Sequence, residues 1–347
     1  MRPASPITVA GPRRIPTGFP SPPTLNAWIV PRRRPAALSR APDRAGAARG
    51  TVGRARYVDP TVPDGSDVRS YGAVFDTVAV EYERRRPTYP DELIDLACQV
   101  AGLSAGDQVL EIGCGTGQLT RSLVARDLSV TAVEPGRNLI SMAERIGPGV
   151  QFVNRRFEDA ELPGRFPAAF SASAFHWVDP DVSWGKVARS LVPGGLLALI
   201  QYCGVRDPEA AADDDALMAA LAGAAPEIAA DWPAPRDLET ILDGAAHRRE
   251  NVSEVWAWVA NQPVARSYAA DLFGDVETAV VPMLVEQTAD ELNALFRTTS
   301  LYHRLSPGQR RALEQANREI GERLGRPIRS GMLTALVTAR RADEDWL

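Results

Sequence analysis

The chain has 347 residues, of which 45% are hydrophobic and 24% charged, with a formal net charge of −5. This is the composition of an ordinary globular protein, and it excludes collagen-like, coiled-coil and wholly disordered chains. No apolar run is long enough for a membrane span. Scattered Cys98, Cys114 and Cys203, with His176, His247 and His303, give neither a disulfide framework nor a zinc-ligand spacing. A cytoplasmic protein without a metal centre is therefore expected.

Charge is unevenly placed. Residues 1–70 hold 12 Arg and 4 Asp, so the remainder carries −13. The same stretch contains 12 of the 28 prolines, including Pro22-Pro23, and the run Arg32-Arg33-Arg34. Too little apolar surface is available there to offset the entropy of ordering, so a disordered, basic, Pro/Arg-rich tail is expected. It reads as a dispensable extension rather than a transit peptide or a nucleic-acid arm. It has no apolar core of the signal-peptide kind. Lys186 is the only lysine of the chain, so arginine richness is a general habit of this sequence.

Order is expected to begin near Tyr71, with Val74, Phe75, Val78 and Tyr82 at helical spacing. Pro87 and Pro90 interrupt the chain, and Asp91 is placed to cap a helix over 91–102. Strands are predicted at Gln108–Ile112, Val130–Val133, Val150–Val153, Ala168–Ala174 and Leu196–Tyr202. Helices are predicted between them at Leu119–Ala125, Asn138–Ile146 and Asp181–Leu191. Pro193-Gly194-Gly195 should turn the chain into the fifth strand. Such alternation implies a doubly wound, mostly parallel sheet with helices on both faces. Residues 206–270 are Ala-rich and helical and read as an insertion packed over one end of the sheet. Val276–Val285 is a sixth strand candidate. Thr288 and Glu291 form a capping-box pattern before the helix to Arg297. Ser306 caps a longer helix, with Pro307 at its first position and Gly325 at its end. Met332–Thr338 is the last strand candidate, and residues 342–347 form a C-terminal tail.

The chemistry concentrates at Val109-Leu-Glu-Ile-Gly-Cys-Gly-Thr-Gly117. This loop lies between a strand and a helix at the carboxyl edge of the sheet, where ligands bind in open α/β folds. Gly113, Gly115 and Gly117 allow a sharp turn and close approach, and the helix start offers free N–H groups. Glu134 ends the next strand, where an acid can accept from both hydroxyls of an adenosyl ribose. A nicotinamide fingerprint counted from Gly113 puts Gln118 where a small residue is needed. Glu111 would also face a doubly negative pyrophosphate. A sulfonium cofactor with an α-amino group tolerates that acid, so electrostatics favours S-adenosylmethionine over a dinucleotide.

LEIGCGTGQLT resembles the first motif of the class I S-adenosylmethionine-dependent methyltransferases, and VTAVEPGRNLISMA resembles the second. FEDAELP is similar to their adenine-side segment and LVPGGLLALI to their turn and fifth strand. FDTVAVEYERRRPTYP and AFHWV look like a bacterial small-molecule subgroup of that family. The resemblance spans residues 71–341. It implies a seven-stranded Rossmann-like methyltransferase fold whose last strand is antiparallel, with the insertion over the substrate site. By this resemblance Glu111, Gly113, Cys114, Gly115 and Gly117 would hold the methionine end of S-adenosylmethionine. Glu134 and Pro135 would lie at the ribose, and Phe157 and Glu158 would flank the adenine. Tyr82 and Arg86 would form a lid. The sequence departs from the pattern at Phe166-Pro167, where relatives carry Phe-Asp, and at Arg156, where Asp or Ser is usual.

Methyl transfer needs alignment more than covalent chemistry, and a base only for some acceptors. His176 is the one histidine near the expected site, either as a general base or as a support for its loop. Trp177 and Tyr302 are candidates for the substrate pocket. The folded part is acidic, which opposes phosphate binding. The residues after the fourth strand, Ser173-Ala174-Phe175-His176-Trp177, lack the Asn/Asp-Pro-Pro-aromatic motif of base-amino methyltransferases. A small organic acceptor is thus expected, methylated on oxygen before nitrogen or carbon. The rival expectations are an NAD(P)-dependent oxidoreductase and a catalytically inert module that binds S-adenosylmethionine.

Overall fold

The central strands are buried on both sides, and successive residues join alternate faces. In the computed structural model, which describes residues 74–232, 234–261 and 269–342 together with the backbone of 13–15 and 28–29, the sheet has seven long or central strands. They are β3 (Gln108–Ile112), β4 (Ser129–Val133), β5 (Val150–Val153), β6 (Phe166–Ala172), β7 (Leu191–Gly204), β8 (Phe273–Gln287) and β9 (Ile328–Arg341). Their order is β8-β9-β7-β6-β3-β4-β5. β5, β4, β3, β6 and β7 run parallel, and β9 runs antiparallel to both β7 and β8. The expected seven-stranded, mostly parallel, doubly wound sheet is the one observed. Two short strands, β1 (Arg13–Ile15) and β2 (Trp28–Ile29), pair with the outer side of β8. The rest of the 1–70 tail, the expected start at Tyr71, residues 262–268 of the insertion and 343–347 lie outside the described residues.

Leu110, Ile112, Ala169, Leu197, Leu199, Val280, Ala335 and Val337 share one core. Val109, Ala168, Phe170, Leu196, Ala198, Ile200, Ala279, Val281 and Leu336 share the opposite one. This period of two, inside strands apolar on both sides, is the pattern of a sheet covered on both faces. The second face is covered by helices Asp91–Ala101 and Gln118–Val124 through Leu93, Ile94, Ala97, Leu119 and Leu123. Helix Pro180–Ser190 covers the first face with Trp184, Val187 and Ala188.

The region 206–270 divides in two rather than capping one end. Helices Leu238–His247 and Val252–Val259 join the first face through Ile241, Ala245, Val255, Trp256 and Val259. Helices Ala211–Ala224 and Pro226–Asp231 instead pack against Ser300–Arg304 and Pro307–Leu324 through Leu221, Ala225, Ile228, Leu301, Leu305 and Leu313. Asp213 fastens this group to the root of β9, accepting from Arg326 at 2.7 and 2.9 Å and from Arg329 N–H at 2.8 Å. Both capping boxes form, Thr288 with Glu291 and Ser306 with Gln309.

Three local expectations are corrected. Asp91 is the first residue of its helix and makes no side-chain cap; Pro90 holds the cap position. The fourth strand ends at Ala172, because Ser173 adopts φ 52° and breaks the extended run. Pro193-Gly194-Gly195 does not precede the fifth strand but bulges within it. Phe166 pairs with Leu191 and Ala168 with Leu196, so the extra residues loop out with Gly194 at φ 69°.

Candidate active site

The carboxyl edge of β3, β4 and β6 gathers the sequence-selected residues. The loop after β3 turns with Gly113 at φ 74° and Gly117 at φ 91°. A side chain at Gly113 would place Cβ 2.3 Å from Ala174 Cβ, and at Gly117 2.4 Å from Ile146 Cδ1. Both glycines are therefore required by conformation and by close packing. Gly117, not residue 118, is the position pressed against the following helical segment. Gln118 turns towards helix Ala79–Arg85, its amide 3.5 Å from Glu83.

Two buried carboxylates frame this loop. Glu111 is 1% exposed and accepts a hydrogen bond from Thr120 Oγ1 at 2.7 Å. Burial pushes it up to about 7, against the Thr120 bond, with Glu134 adding repulsion. Glu134 accepts from Gly115 N–H at 3.0 Å with one oxygen and from Gly136 N–H at 2.8 Å with the other. Burial raises it too, opposed by those two backbone bonds. Asn154 Nδ2 donates to the carbonyls of Glu134 and Pro135, fixing the chain just beyond β4. Cys114 is buried and its thiol is pushed well up, so it fills space as a neutral side chain.

The segment from Phe75 to Arg86, expected as a lid, crosses this edge. Tyr82 reaches over the loop, its Cε1 3.9 Å from the point where a Gly115 Cβ would sit. Arg86 lies 5.0 Å above the Tyr82 ring and donates to Thr298 O at 2.7 Å. Phe75 packs edge-on against both Tyr82 and Trp177, at 5.6 and 5.7 Å between centroids. His176 neighbours Trp177, their rings 4.8 Å apart, in the single turn Phe175–Trp177 after β6.

Sequence reasoning missed Asp76 and Tyr89. Asp76 Oδ1 accepts from Asn138 and Leu139 N–H at 2.7 and 3.1 Å, capping helix Arg137–Ala143 from a different element. Tyr89 stacks on Tyr202 at 5.2 Å, and its hydroxyl bonds Ser173. No local pattern marks either role, because both partners are distant in sequence.

The remaining candidates have other engagements. Phe157 is buried with Leu110, Ile112 and Val133, and Lys186 Nζ lies 5.3 Å above its ring. Glu158 accepts from Arg156 at 2.9 Å and Asp179 N–H at 3.0 Å. Burial would raise Glu158, but these bonds hold it below the usual carboxylate range. Tyr302 donates to Glu314 at 2.7 Å inside the helical group of 211–231 and 300–324, and the structure does not bring it together with the glycine loop.

Among the described residues, no helix is long and apolar enough to cross a membrane, and no cluster of ligating side chains forms a metal site. Residues 109–195 match the model of a methyltransferase domain. An uncharacterised methyltransferase of Mycobacterium tuberculosis is 37% identical over 133 residues, covering 38% of this chain and 53% of its own length. A demethylmenaquinone methyltransferase of Tropheryma whipplei is 30% identical over 112 residues, covering 30% of this chain and 46% of its own. The chain thus spans about half the length of the curated relatives it matches. A solved structure of a candidate type II methyltransferase from Anaeromyxobacter dehalogenans is 25% identical, covers 74% of this chain and 97% of its own, and superposes with a TM-score of 0.49.

Proposed function

We propose that this chain, which belongs to the class I S-adenosylmethionine-dependent methyltransferases, transfers a methyl group to a small organic acceptor, oxygen being the favoured atom. The observation that carries the reading is the pair of buried carboxylates, Glu111 and Glu134, beside a loop whose Gly113 and Gly117 leave no room for a Cβ. Two buried acids raised by burial suit a cationic ligand rich in hydroxyl and amino donors. They oppose the pyrophosphate of a dinucleotide. The residues present therefore fit S-adenosylmethionine, which supplies a methyl group on a sulfonium for in-line displacement.

The chain's own contribution is binding, orientation and exclusion of water. Glu111 and the loop from Gly113 to Gly117 would hold the methionine end. Glu134, already anchored by Gly115 and Gly136, would receive the ribose hydroxyls. Phe157 and Glu158 lie on the adenine side, and Tyr82 closes over the loop. His176 supports the turn after β6 in this reading and takes no proton.

The test is the fate of methyl-labelled S-adenosylmethionine incubated with the protein and a cell extract. Label in a low-molecular-weight product separated from S-adenosylmethionine, lost in Glu134→Ala, supports the proposal. Label confined to precipitated nucleic acid or protein would overturn the small-acceptor assignment.

A further inference from the structure

The lid holds a cation that is only partly used. Arg86 donates through one terminal nitrogen to Thr298 O, while its Nε is buried and finds no acceptor among the described residues. A buried guanidinium nitrogen without an acceptor is costly and marks a place where an acceptor is to arrive. Its position relates it to the reaction. Arg86 stacks on Tyr82, which covers Gly115, and it sits three residues before Tyr89, whose hydroxyl bonds Ser173. Ser173 is adjacent to Ala174, which abuts Gly113. Arg86 thus belongs to the segment that crosses the glycine loop, next to Tyr82 and Tyr89. Thr298 brings the neighbouring helical group to the same point.

We propose that Arg86 recognises a carboxylate on the methyl acceptor, so that the substrate class is small organic acids. The claim rests on the methyltransferase reading above. It reassigns Arg86 from holding the cofactor to selecting the substrate. A guanidinium pairs with a carboxylate through charge-assisted hydrogen bonds, and Nε–H is the Arg86 donor left for one, the terminal nitrogen on the same edge being held by Thr298 O. The surrounding groups agree. Tyr89 and Tyr202 are both pushed up by burial, so neither adds a negative charge there. Cys114 likewise stays a thiol. Neutral groups around one cation suit a ligand that arrives already negative and needs no proton removed.

The test uses the full chain saturated with S-adenosylhomocysteine. Aliphatic and aromatic mono- and dicarboxylic acids are added in turn, each beside its amide, and thermal unfolding and calorimetric binding are followed. At least one acid, but not its amide, is expected to raise the melting temperature. Arg86→Gln should weaken that acid about 10- to 100-fold, the scale of a charge-assisted pair. Arg86→Lys should recover part of the loss, and in both variants the acid should be weakened more than S-adenosylhomocysteine, because Arg86 meets the acid directly and reaches the glycine loop only through Tyr82. If no acid binds, if amides bind as well as acids, or if Arg86→Gln weakens S-adenosylhomocysteine as much as the acid, the proposal falls. Failure of the parent protein to bind S-adenosylhomocysteine would instead overturn the methyltransferase reading on which it rests.

Discussion

Glu134 accepts a hydrogen bond from the backbone N–H of Gly115 at 3.0 Å, so the acid that ends the second parallel strand holds the loop that follows the first. Its other oxygen holds Gly136 at 2.8 Å. One carboxylate therefore ties together the loops that follow both strands. Replacing it by alanine should weaken S-adenosylhomocysteine binding by roughly 1.5–3 kcal/mol, the scale of hydrogen bonds to a charged group. Calorimetric titration checks this, and unchanged affinity in a folded variant would remove Glu134 from the ribose position.

Glu111 gives the protein a distinctive pH profile. Burial lifts it from about 4.5 to about 7, so between those values the folded protein binds a proton that the unfolded chain has released. Stability of the ligand-free protein should therefore fall as pH rises through this window and level off above it. The full effect is on the order of 3 kcal/mol. Urea unfolding at pH 5 and pH 8 measures it, and Glu111→Gln should flatten the slope. A ligand-free protein more stable at pH 8 than at pH 5, with the same slope in Glu111→Gln, would contradict the assignment.

Gly113→Ala should destabilise the fold much more than Gly147→Ala. Both glycines have positive φ, but only at Gly113 would the new Cβ meet another atom, 2.3 Å from Ala174 Cβ. Strain alone costs roughly 1 kcal/mol, and overpacking typically adds about 1–3 kcal/mol. Equal midpoints in denaturant for the two variants would show that the loop can shift away from β6.

Asp76→Ala removes a cap supplied from another helix. The loss of its bonds to Asn138 and Leu139 should cost about 1 kcal/mol and loosen the lid over Gly136. Thermal unfolding reports the first effect and a faster release of S-adenosylhomocysteine the second. Gly136→Ala is a poor substitute for this test, since its Cβ would lie 2.8 Å from the same Asp76 oxygen.

His176→Ala should leave turnover within about tenfold of the parent once an acid acceptor is found, because an ionised acceptor needs no base. A loss of about 10²–10⁴-fold, with a pH profile that loses its acidic limb, would make His176 a general base instead.

The elements that were legible in the sequence are those whose signals are local. β3 and β5 coincide residue for residue with the apolar runs Gln108–Ile112 and Val150–Val153. The Thr288 and Ser306 caps follow from hydroxyl, proline and acid placement within one turn. The glycine loop and Glu134 were legible because βα units repeat one geometry at one spacing. What was not legible depends on distant pairs. Arg86 meets Thr298 across 212 positions, and Asp76 caps Asn138 across 62. The division of 206–270 between a sheet face and a separate helical group follows from which surfaces remain uncovered once the sheet has formed. Helical periodicity does not carry that information.

The most direct measurement is calorimetric titration of the protein with S-adenosylmethionine, S-adenosylhomocysteine and NADH. The account predicts saturable binding of the first two, abolished or strongly weakened in Glu134→Ala, and no binding of NADH. Binding of NADH without the adenosyl sulfur compounds would contradict it, and would mean that Glu111 and Glu134 do not face a cationic ligand.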